Sequence, residues 1–449
     1  MKVLAAFFAF ASLAGTTPPL AADTLDDTFV YMSPQPWANL VSKDSVFVFR
    51  PRHPNQEAGG DRTPGITVTG SVSGPHSGEW VVADDSTTLI FRPHEPFEPG
   101  EVVSVALSAR PDLWIAAYRF TVSPKRGPLE GGAEDGDCCA EAPGFESIST
   151  ATPRATVRMQ DEFPFPSDFP QFDILTNNNP TSGKVFLAAA NYLAIINHDG
   201  TPVFFMDYGQ AVANFGPQAN GMLTFFERGG QGAVPPHRLF VIDDSYTIVD
   251  EYAAANGYLM DFHDFLLLEN GHALLMIYDR QPVDMSRIVA HGNPRATVQG
   301  LVIQELDASK NLVFQWRSWD HIPITDAADD VNLGNSFIDY VHGNAIEVDV
   351  DGNLLLSSRN LDEITKIDRL TGEIIWRFGG KGNQFQMRGA GRFFSHQHDV
   401  RRAPNGNITV FDNGNLSSPQ ESRAVEFQLV EAGPMKTASC CRLMRYHQH

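Results

Sequence analysis

The sequence predicts an all-β protein with a β-sandwich near its N-terminus and a β-propeller after it. The 449-residue chain contains 37 Gly and 30 Pro, and no long apolar segment with helical periodicity follows the first 20 residues. Short β-branched runs separated by turns fill two stretches, and the turns of the second stretch recur along the chain. These observations exclude an all-α protein.

The composition indicates a folded protein without affinity for polyanions. Hydrophobic residues make up 42% of the chain, aromatic residues 10% and charged residues 19%, which is enough apolar material for large buried cores. The formal net charge is −21 at pH 7. Because such a charge repels phosphate backbones and anionic lipid surfaces, we expect no nucleic-acid partner.

The N-terminus has the pattern of a secretory signal. Met1 and Lys2 precede an apolar run from Val3 to Ala14, and a stretch of small residues ends at Ala22. The sequence therefore predicts a signal peptide at residues 1–22 and a mature protein that is secreted or periplasmic. No later segment supplies the roughly 20 apolar residues that a membrane-spanning helix needs, so we expect no such helix.

The four cysteines form two adjacent pairs, Cys138-Cys139 and Cys440-Cys441. Vicinal cysteines rarely bridge each other, so a disulfide would join separate segments, and the sequence leaves the pairing open. Neither pair has the two-residue gap of a zinc knuckle, and we expect no bound metal.

Residues 23–123 are predicted to form the sandwich. Five runs rich in β-branched residues are separated by Gly and Pro turns, at residues 45–50, 66–70, 88–92, 102–107 and 118–122. The segment from Arg92 to Leu107 resembles the bacterial immunoglobulin-like domains of surface and periplasmic proteins. This resemblance implies an immunoglobulin-like fold and says nothing about chemistry.

A linker is predicted at residues 124–165, where Pro, Gly, Glu, Asp and Ser dominate. Residues 166–449 are predicted to form the propeller. Four turns mark its repeat, at Asn220-Gly221, Asn270-Gly271, Asp351-Gly352 and Asn405-Gly406. Their spacing of about 50 residues, with one longer interval, is typical of four-stranded blades. The blades are expected near residues 172–209, 213–253, 261–318 and 340–380, with a fifth that starts at about His396.

The fifth blade is expected to be incomplete. The strand pattern is predicted to end after Leu429, and the basic tail from Pro434 to His449 is predicted to add no closing blade. Since an open ring leaves sheet edges unpaired, the sequence predicts a propeller that is truncated, or shifted in reading frame, near the C-terminus. The insertions Gln281–Gly300 and Ile322–Asn335 are expected to be irregular loops beside the pocket.

Three histidines occupy comparable positions in the predicted repeats. His263, His342 and His398 lie 8 or 10 residues before the glycine of the following turn, so they are expected to meet around the central channel of a propeller. Arg359 ends the strand after the His342 hairpin and can reach the same cavity. A guanidinium beside neutral imidazoles suits a sulfuryl or phosphoryl group.

Five motifs carry a family resemblance: Asp-Phe-His-Asp, Val-His-Gly-Asn, Leu-Ser-Ser-Arg-Asn, Ile-Trp-Arg-Phe-Gly-Gly and His-Gln-His-Asp, in this order. They resemble the secreted bacterial-type arylsulfate sulfotransferases over roughly residues 170–429. The resemblance implies a six-bladed propeller that moves a sulfuryl group from a phenolic sulfate donor to a phenolic acceptor. It implies no nucleotide sulfate donor, no other cofactor and no metal.

The resemblance also implies residue roles. His398 matches the nucleophile of a ping-pong reaction through a sulfohistidine, His263 and His342 match its supporting histidines, and Arg359 matches the sulfate-binding arginine. His396 is an alternative nucleophile, because strand side chains repeat every two residues and both histidines would share one face. The other functional hypothesis is a non-catalytic propeller that acts in binding or adhesion. The oligomeric state stays open.

Overall fold

The computed structural model describes residues 28–53, 63–110, 113–125, 165–170, 172–174, 182–228, 238–389, 391–433 and 435–446, and the single residues 177 and 180. In these ranges the chain forms 29 β-strands and a few single-turn helices, so the all-β prediction is confirmed. The predicted signal peptide, most of the predicted linker and the pair Cys138-Cys139 lie outside the described residues.

Eight strands form two antiparallel sheets in the N-terminal part of the described chain. The strands are β1 (Phe29–Ser33), β2 (Phe47–Pro51), β3 (Gly65–Gly70), β4 (Gly74–His76), β5 (Gly78–Val82), β6 (Leu89–Pro93), β7 (Val102–Arg110) and β8 (Leu113–Thr121). The sheet orders are β1-β2-β6-β5 and β4-β3-β7-β8. The five runs predicted as strands here coincide with β2, β3, β6, β7 and β8.

The apolar run of β2 explains how these sheets pack. Phe47 and Phe49 lie between the two sheets, where the Phe47 ring is 5.8 Å from the Phe120 ring of β8 between centroids. Val48 is also fully buried, because it packs on the other side against the later sheets. Since successive residues of a strand face opposite sides, β2 is buried on both faces.

Five further sheets follow along the chain. Their strands are β9 (Val185–Ala189), β10 (Tyr192–Ile196), β11 (Pro202–Asp207), β12 (Val212–Pro217), β13 (Leu223–Glu227), β14 (Arg238–Ile242), β15 (Ile248–Tyr252), β16 (Phe265–Leu267), β17 (Ala273–Val283), β18 (Ala296–Leu306), β19 (Leu312–Arg317), β20 (Phe337–Asp339), β21 (Gly343–Val348), β22 (Leu354–Ser358), β23 (Glu363–Ile367), β24 (Ile374–Gly379), β25 (Phe385–Arg388), β26 (His398–Arg402), β27 (Ile408–Asp412), β28 (Ser422–Val430) and β29 (Lys436–Tyr446).

Each of these five sheets is an antiparallel meander of strands that are consecutive in the chain: β9 to β11, β12 to β15, β16 to β19, β21 to β24 and β26 to β29. Two extra strands add in parallel, β20 on β18 and β25 on β29. The meanders coincide closely with the five repeat units predicted from the sequence.

The recurring turns share one geometry. Gly221, Gly271, Gly352 and Gly406 all have a φ of 83° or 84°, a conformation that glycine adopts without strain. In each turn the Asn or Asp before the glycine accepts a hydrogen bond from the backbone N–H after it, at 3.0 or 3.1 Å. The predicted hairpin turns are confirmed.

The prediction that the strand pattern ends after Leu429 is wrong. β29 lies in the predicted tail and pairs antiparallel with β28 along its length. Thr437 and Ala438 are buried, but neither is a large apolar residue, so the tail lacks the alternation from which a strand is predicted. Backbone pairing with a long neighbouring strand forms β29 instead.

The prediction of an irregular loop at Gln281–Gly300 is also largely wrong. β17 extends to Val283 and β18 starts at Ala296, and the two strands pair without interruption. Gln281 is buried in this extension because it has a partner in the N-terminal part of the chain, the Ser123 hydroxyl, which donates to its side-chain oxygen at 2.5 Å. No local pattern in the sequence reveals such partners.

Helices are short throughout the described ranges. The α-helix α1 spans Ser318–His321, and 3₁₀ turns span Met285–Arg287, Ile324–Asp326 and Arg359–Leu361. The second of these turns is the only helical element in the predicted insertion Ile322–Asn335. None of the described helices has the length and apolar character needed to cross a membrane.

The N-terminal sheets are bonded to the β16–β19 sheet and its neighbour. Arg50 of β2 donates to the carbonyl oxygens of Val313 at 3.2 Å and Leu370 at 2.7 Å. The Tyr31 hydroxyl donates to the Gln315 carbonyl at 2.7 Å and accepts from the Gln315 backbone N–H at 2.6 Å. These bonds join residues far apart in sequence. Together with the apolar packing of Val48, they form an interface between the N-terminal sheets and the later sheets.

Candidate functional site

Three histidines stand at the start of the first strand in three meanders. His263 lies two residues before β16, His342 directly precedes β21, and His398 opens β26. These are equivalent positions in the three sheets, in the register that the sequence predicts.

Polar side chains hold the three first strands side by side. Asp264 accepts hydrogen bonds from the Ile346 backbone N–H and from Arg401, each at 3.0 Å. Asn344 donates to the Gln397 carbonyl at 2.8 Å. Because Asp264, Asn344 and Gln397 each lie within two residues of a site histidine, these bonds bring the starts of β16, β21 and β26 together.

His263 and His342 are each paired with a carboxylate. Nδ1–H of His263 donates to Asp261 at 2.7 Å, and Nδ1–H of His342 donates to Asp339 at 2.7 Å. The backbone N–H of each histidine bonds to the same carboxylate, at 2.9 and 3.0 Å, which fixes the pair. A carboxylate at Nδ1 stabilises the imidazolium form and leaves Nε2 to exchange a proton with a ligand.

The two histidine–carboxylate pairs are neighbours. The rings of His263 and His342 are 5.3 Å apart between centroids, and the Tyr278 ring lies 5.7 and 5.5 Å from them. The Tyr278 hydroxyl donates to the Gly343 carbonyl at 2.9 Å. Burial alone would raise the pKa of Asp261, but the His263 ring and its hydrogen bonds hold that pKa below its usual value.

His398 is held by neutral acceptors instead. Its Nδ1 lies 3.1 Å from the His396 carbonyl oxygen and 3.1 Å from Asn413 Oδ1. Both oxygens accept hydrogen bonds, so in the neutral ring Nδ1 carries the proton and Nε2 keeps its lone pair.

The surroundings of His398 oppose its protonation. Burial lowers the pKa of His398 to about 4, with further lowering by His342, His263 and Arg359. At neutral pH the ring is therefore an uncharged imidazole.

Arg359 lies beside the Asp339–His342 pair. Its backbone N–H donates to the His342 carbonyl at 2.9 Å, and its guanidinium donates to Asn360 Oδ1 at 2.7 Å. Asn360 in turn donates to the Asp339 carbonyl at 2.8 Å. Within the described part of the chain, the buried Nε of Arg359 and the buried Nε2 of His342 have no hydrogen-bond partner.

Gln397 connects the strands that carry His398 and Arg359. Its side chain is fully buried, and its amide donates to the Ser358 carbonyl at 3.2 Å and the Glu363 carbonyl at 2.9 Å. Gln397 directly precedes His398, and Ser358 directly precedes Arg359. The bond therefore fixes the distance between the two predicted site residues.

His396 does not share a strand with His398, so the argument from alternation is wrong. β26 begins at His398, and His396 has a φ of +52° outside any strand. Its Nε2 lies 3.1 Å from Asp330, and burial followed by Arg359 lowers its pKa. The left-handed backbone at His396 breaks the two-residue periodicity on which that argument depended.

The structure thus brings His263, His342, His398 and Arg359 together, while their roles stay predictions. Sequence reasoning missed the residues that orient them, which are Asp261, Asp339, Tyr278, Asn360 and Asn413. A local signal existed for the carboxylates alone, since each lies two or three residues before its histidine.

The arrangement suits a tetrahedral oxyanion. Arg359 and His342 supply nitrogen donors without protein partners, and charge-assisted bonds of this kind are the strong ones. His398 supplies an uncharged nitrogen that can form a covalent bond. Over the described ranges, no three His, Cys, Asp or Glu side chains come together in a way that could hold a metal ion.

The fold and the site together describe an all-β protein with a cluster of three histidines and an arginine. Residues 237–445 match the family model described as Arylsulfotransferase (ASST). The matched part, slightly under half of the chain, is similar to the arylsulfotransferase family and contains every residue of the site. This agrees with the resemblance drawn from the five sequence motifs.

Other comparisons give weaker similarities. No curated protein matches the chain. Among solved structures, a Bacteroides caccae protein of unknown function is 14% identical, with 59% of this chain and 73% of that chain covered and a TM-score of 0.32. Virginiamycin B lyase from Staphylococcus aureus is 13% identical, with 59% and 66% covered and a TM-score of 0.31. With TM-scores this low, these similarities support no conclusion about the fold or the function of the chain.

Proposed function

We propose that this protein transfers a sulfuryl group from an aryl sulfate ester to a phenolic acceptor, with His398 as the covalent carrier. The observation that carries the proposal is the state of His398. Its Nδ1 bonds to two acceptor oxygens and its pKa is lowered to about 4, so Nε2 is an available nucleophile at neutral pH. The match to the arylsulfotransferase family supports the substrate class.

In the first step, Nε2 of His398 attacks the sulfur atom of the donor. The N–S bond forms while the S–O bond to the aryl group breaks, and the phenolate takes a proton from the imidazolium of His263 or His342. A phenol has a pKa near 10, as Tyr does, so it leaves with modest help from an acid. Arg359 stabilises the charge that spreads over the sulfuryl oxygens.

In the second step, a phenolic acceptor replaces the departed phenol. It gives its proton back to the same neutral histidine, and its oxygen attacks the sulfur atom of the sulfohistidine. The N–S bond breaks, the new sulfate ester leaves, and His398 regains its neutral form. The two half-reactions need no proton or electron from outside the site.

We also propose that the meanders from β9 to β29 are blades of a propeller and that β1 to β8 form an immunoglobulin-like sandwich. Support comes from the chain-order antiparallel pairing of the meanders and from the shared core of the two N-terminal sheets. The secretory pattern at residues 1–22 supports a location outside the cytoplasm.

The test is His398→Ala, assayed by release of 4-nitrophenol from 4-nitrophenyl sulfate with phenol as acceptor. The variant is expected to lose transfer completely. Intact-mass measurement without acceptor should show the wild-type protein gaining one sulfuryl group, which phenol then removes, and should show no gain in the variant. His291→Ala, at an exposed histidine, is the matched control and should keep both signals.

Two results would reject the proposal. Transfer or a mass gain that persists in His398→Ala would exclude His398 as the carrier, and loss of the adduct in His396→Gln alone would assign the role to His396. A wild-type protein that binds the aryl sulfate without turnover or adduct would indicate a binding module instead of an enzyme.

A further inference from the structure

The second acceptor of the His398 ring comes from a neighbouring strand. Asn413 directly follows β27, the partner of β26, and its Oδ1 lies 3.1 Å from His398 Nδ1. The Asn413 carbonyl accepts from the Ser422 hydroxyl at 3.1 Å, which ties the residue to the start of β28. Asn413 is thus held in place by the end of β27 before it and by the hydrogen bond from Ser422.

We propose that Asn413 is a positioning residue: its amide oxygen orients the nucleophile and fixes the ring proton on Nδ1, without the full negative charge by which a carboxylate would favour the charged ring. This inference rests on the proposed function and deepens it. It explains why position 413 carries an amide: a carboxylate there would also fix the tautomer, but it would favour the charged ring.

The other two site histidines show what a carboxylate does. Asp261 and Asp339 accept from Nδ1–H at 2.7 Å and carry a full negative charge, which stabilises an imidazolium. Asn413 offers the same kind of acceptor atom at 3.1 Å with only a partial charge. It can orient the ring and select the tautomer, but it stabilises the doubly protonated imidazolium less than a carboxylate would.

The hydrogen bond to Asn413 raises the pKa of His398, whereas the charged groups around the ring lower that pKa. His342, His263 and Arg359 face it from the neighbouring sheets, and each of them lowers its pKa. On its own strand, the carboxylate of Asp399 is bound by Arg401 at 3.0 Å. Position 413 is therefore the place where one substitution brings a negative charge directly to Nδ1.

The direct test is nuclear magnetic resonance of the full chain labelled at its 14 histidines. The His398 signal is assigned by its loss in His398→Gln. The wild-type ring is expected to be in the Nδ1–H tautomer and to stay neutral at about pH 5. In Asn413→Asp, the pKa of His398 is expected to rise by about 2 units, since a neighbouring opposite charge shifts a pKa by roughly 1–3 units.

The kinetic test uses the rate of adduct formation from 4-nitrophenyl sulfate. A negative charge at position 413 also repels the anionic donor, but it does so at every pH. The ratio of the rates at about pH 5 and about pH 8 isolates protonation of the nucleophile. Relative to wild type, a shift of about 2 units lowers this ratio about tenfold in Asn413→Asp. Asn413→Leu is a matched uncharged control that leaves the His396 carbonyl as the acceptor at Nδ1. It should weaken the preference for the Nδ1–H tautomer and keep the ratio.

The outcomes are separable. A wild-type His398 with its proton on Nε2, or an Asn413→Asp variant with unchanged titration and unchanged rate ratio, overturns the inference. If Asn413→Asp does not fold, the decision rests on the wild-type tautomer and on a larger share of the Nε2–H tautomer in Asn413→Leu, and an unchanged tautomer ratio in Asn413→Leu overturns the inference. If the predicted tautomer and titration are found in a protein that transfers no sulfate, the role of Asn413 stands and the proposed function fails.

Discussion

The three site histidines are of two kinds. His263 and His342 have a carboxylate on Nδ1, whereas His398 has a carbonyl and an amide oxygen there. The ring is the same in all three, so the difference in chemistry comes from the acceptor. The first kind is suited to carry a proton and the second to attack an electrophile.

The difference originates in the chain segments that precede each histidine. Asp261 and Asp339 lie two and three residues before their histidines, on segments that enter β16 and β21. Before β26 the corresponding position is His396, which contributes its carbonyl oxygen to His398. The segment before β26 thus offers a backbone carbonyl where the other two offer a carboxylate, and the second acceptor of His398 comes from Asn413.

Among the variants that test this comparison, the largest effect is expected when the difference between the two kinds of histidine is removed. Asp339→Asn makes His342 resemble His398, because its imidazolium loses the counter-charge while the acceptor oxygen stays. We expect kcat/KM with phenyl sulfate to fall about 10²-fold, the lower range for lost general acid catalysis. With 4-nitrophenyl sulfate, which has a better leaving group, the fall should be clearly smaller. Equal losses for both donors would contradict a role in proton transfer, and Asp329→Asn, at a carboxylate 92% exposed, should change neither.

A second effect of intermediate size concerns stability in acid. The pKa of His398 is lowered to about 4 in the folded protein, against about 6.5 in the unfolded chain. The unfolded state therefore binds the proton first, so stability is complete above about pH 6.5 and falls by up to about 3 kcal/mol as the pH drops through 4. Urea unfolding at several pH values should show that His398→Gln removes this part of the acid sensitivity. An unchanged slope would contradict the neutral form of His398.

The smallest expected effect tests the link between the two histidine–carboxylate pairs. Tyr278→Phe removes the hydrogen bond to the Gly343 carbonyl, which we expect to cost about 1 kcal/mol of unfolding free energy. Activity should fall only a few-fold, because the acceptors on His263 and His342 remain. Tyr246→Phe is the control, since its ring stacks on Phe204 at 3.8 Å. A loss as large as that of Asp339→Asn would assign Tyr278 a direct role.

Much of the fold follows from local sequence. The hairpin turns can be predicted because each needs a backbone conformation that few residues adopt, as at Gly221, Gly271, Gly352 and Gly406. The convergence of His263, His342 and His398 follows from the repeat, since equivalent positions in successive sheets lie at the same end.

The remainder depends on contacts that no local pattern encodes. β29 forms through backbone pairing with β28, and the buried polar residues of β17 depend on partners more than 100 residues away in the chain, such as Lys125 for Asp279. Asn413 acts on His398 across a strand pair, so neither spacing nor composition indicates it. Side chains that orient a site are set by tertiary packing, whereas the site residues themselves are set by the repeat.

The bonds made by Arg50 and Tyr31 have a consequence for dissecting the molecule. Arg50 donates hydrogen bonds to the carbonyls of Val313 and Leu370, and the ring of Tyr31 stacks on Phe314 at 5.2 Å. A fragment that begins after β8 would leave those carbonyls without their donor and expose an aromatic surface to water. Such a fragment would be prone to self-association, so the histidine-bearing sheets are best handled with their N-terminal neighbours attached.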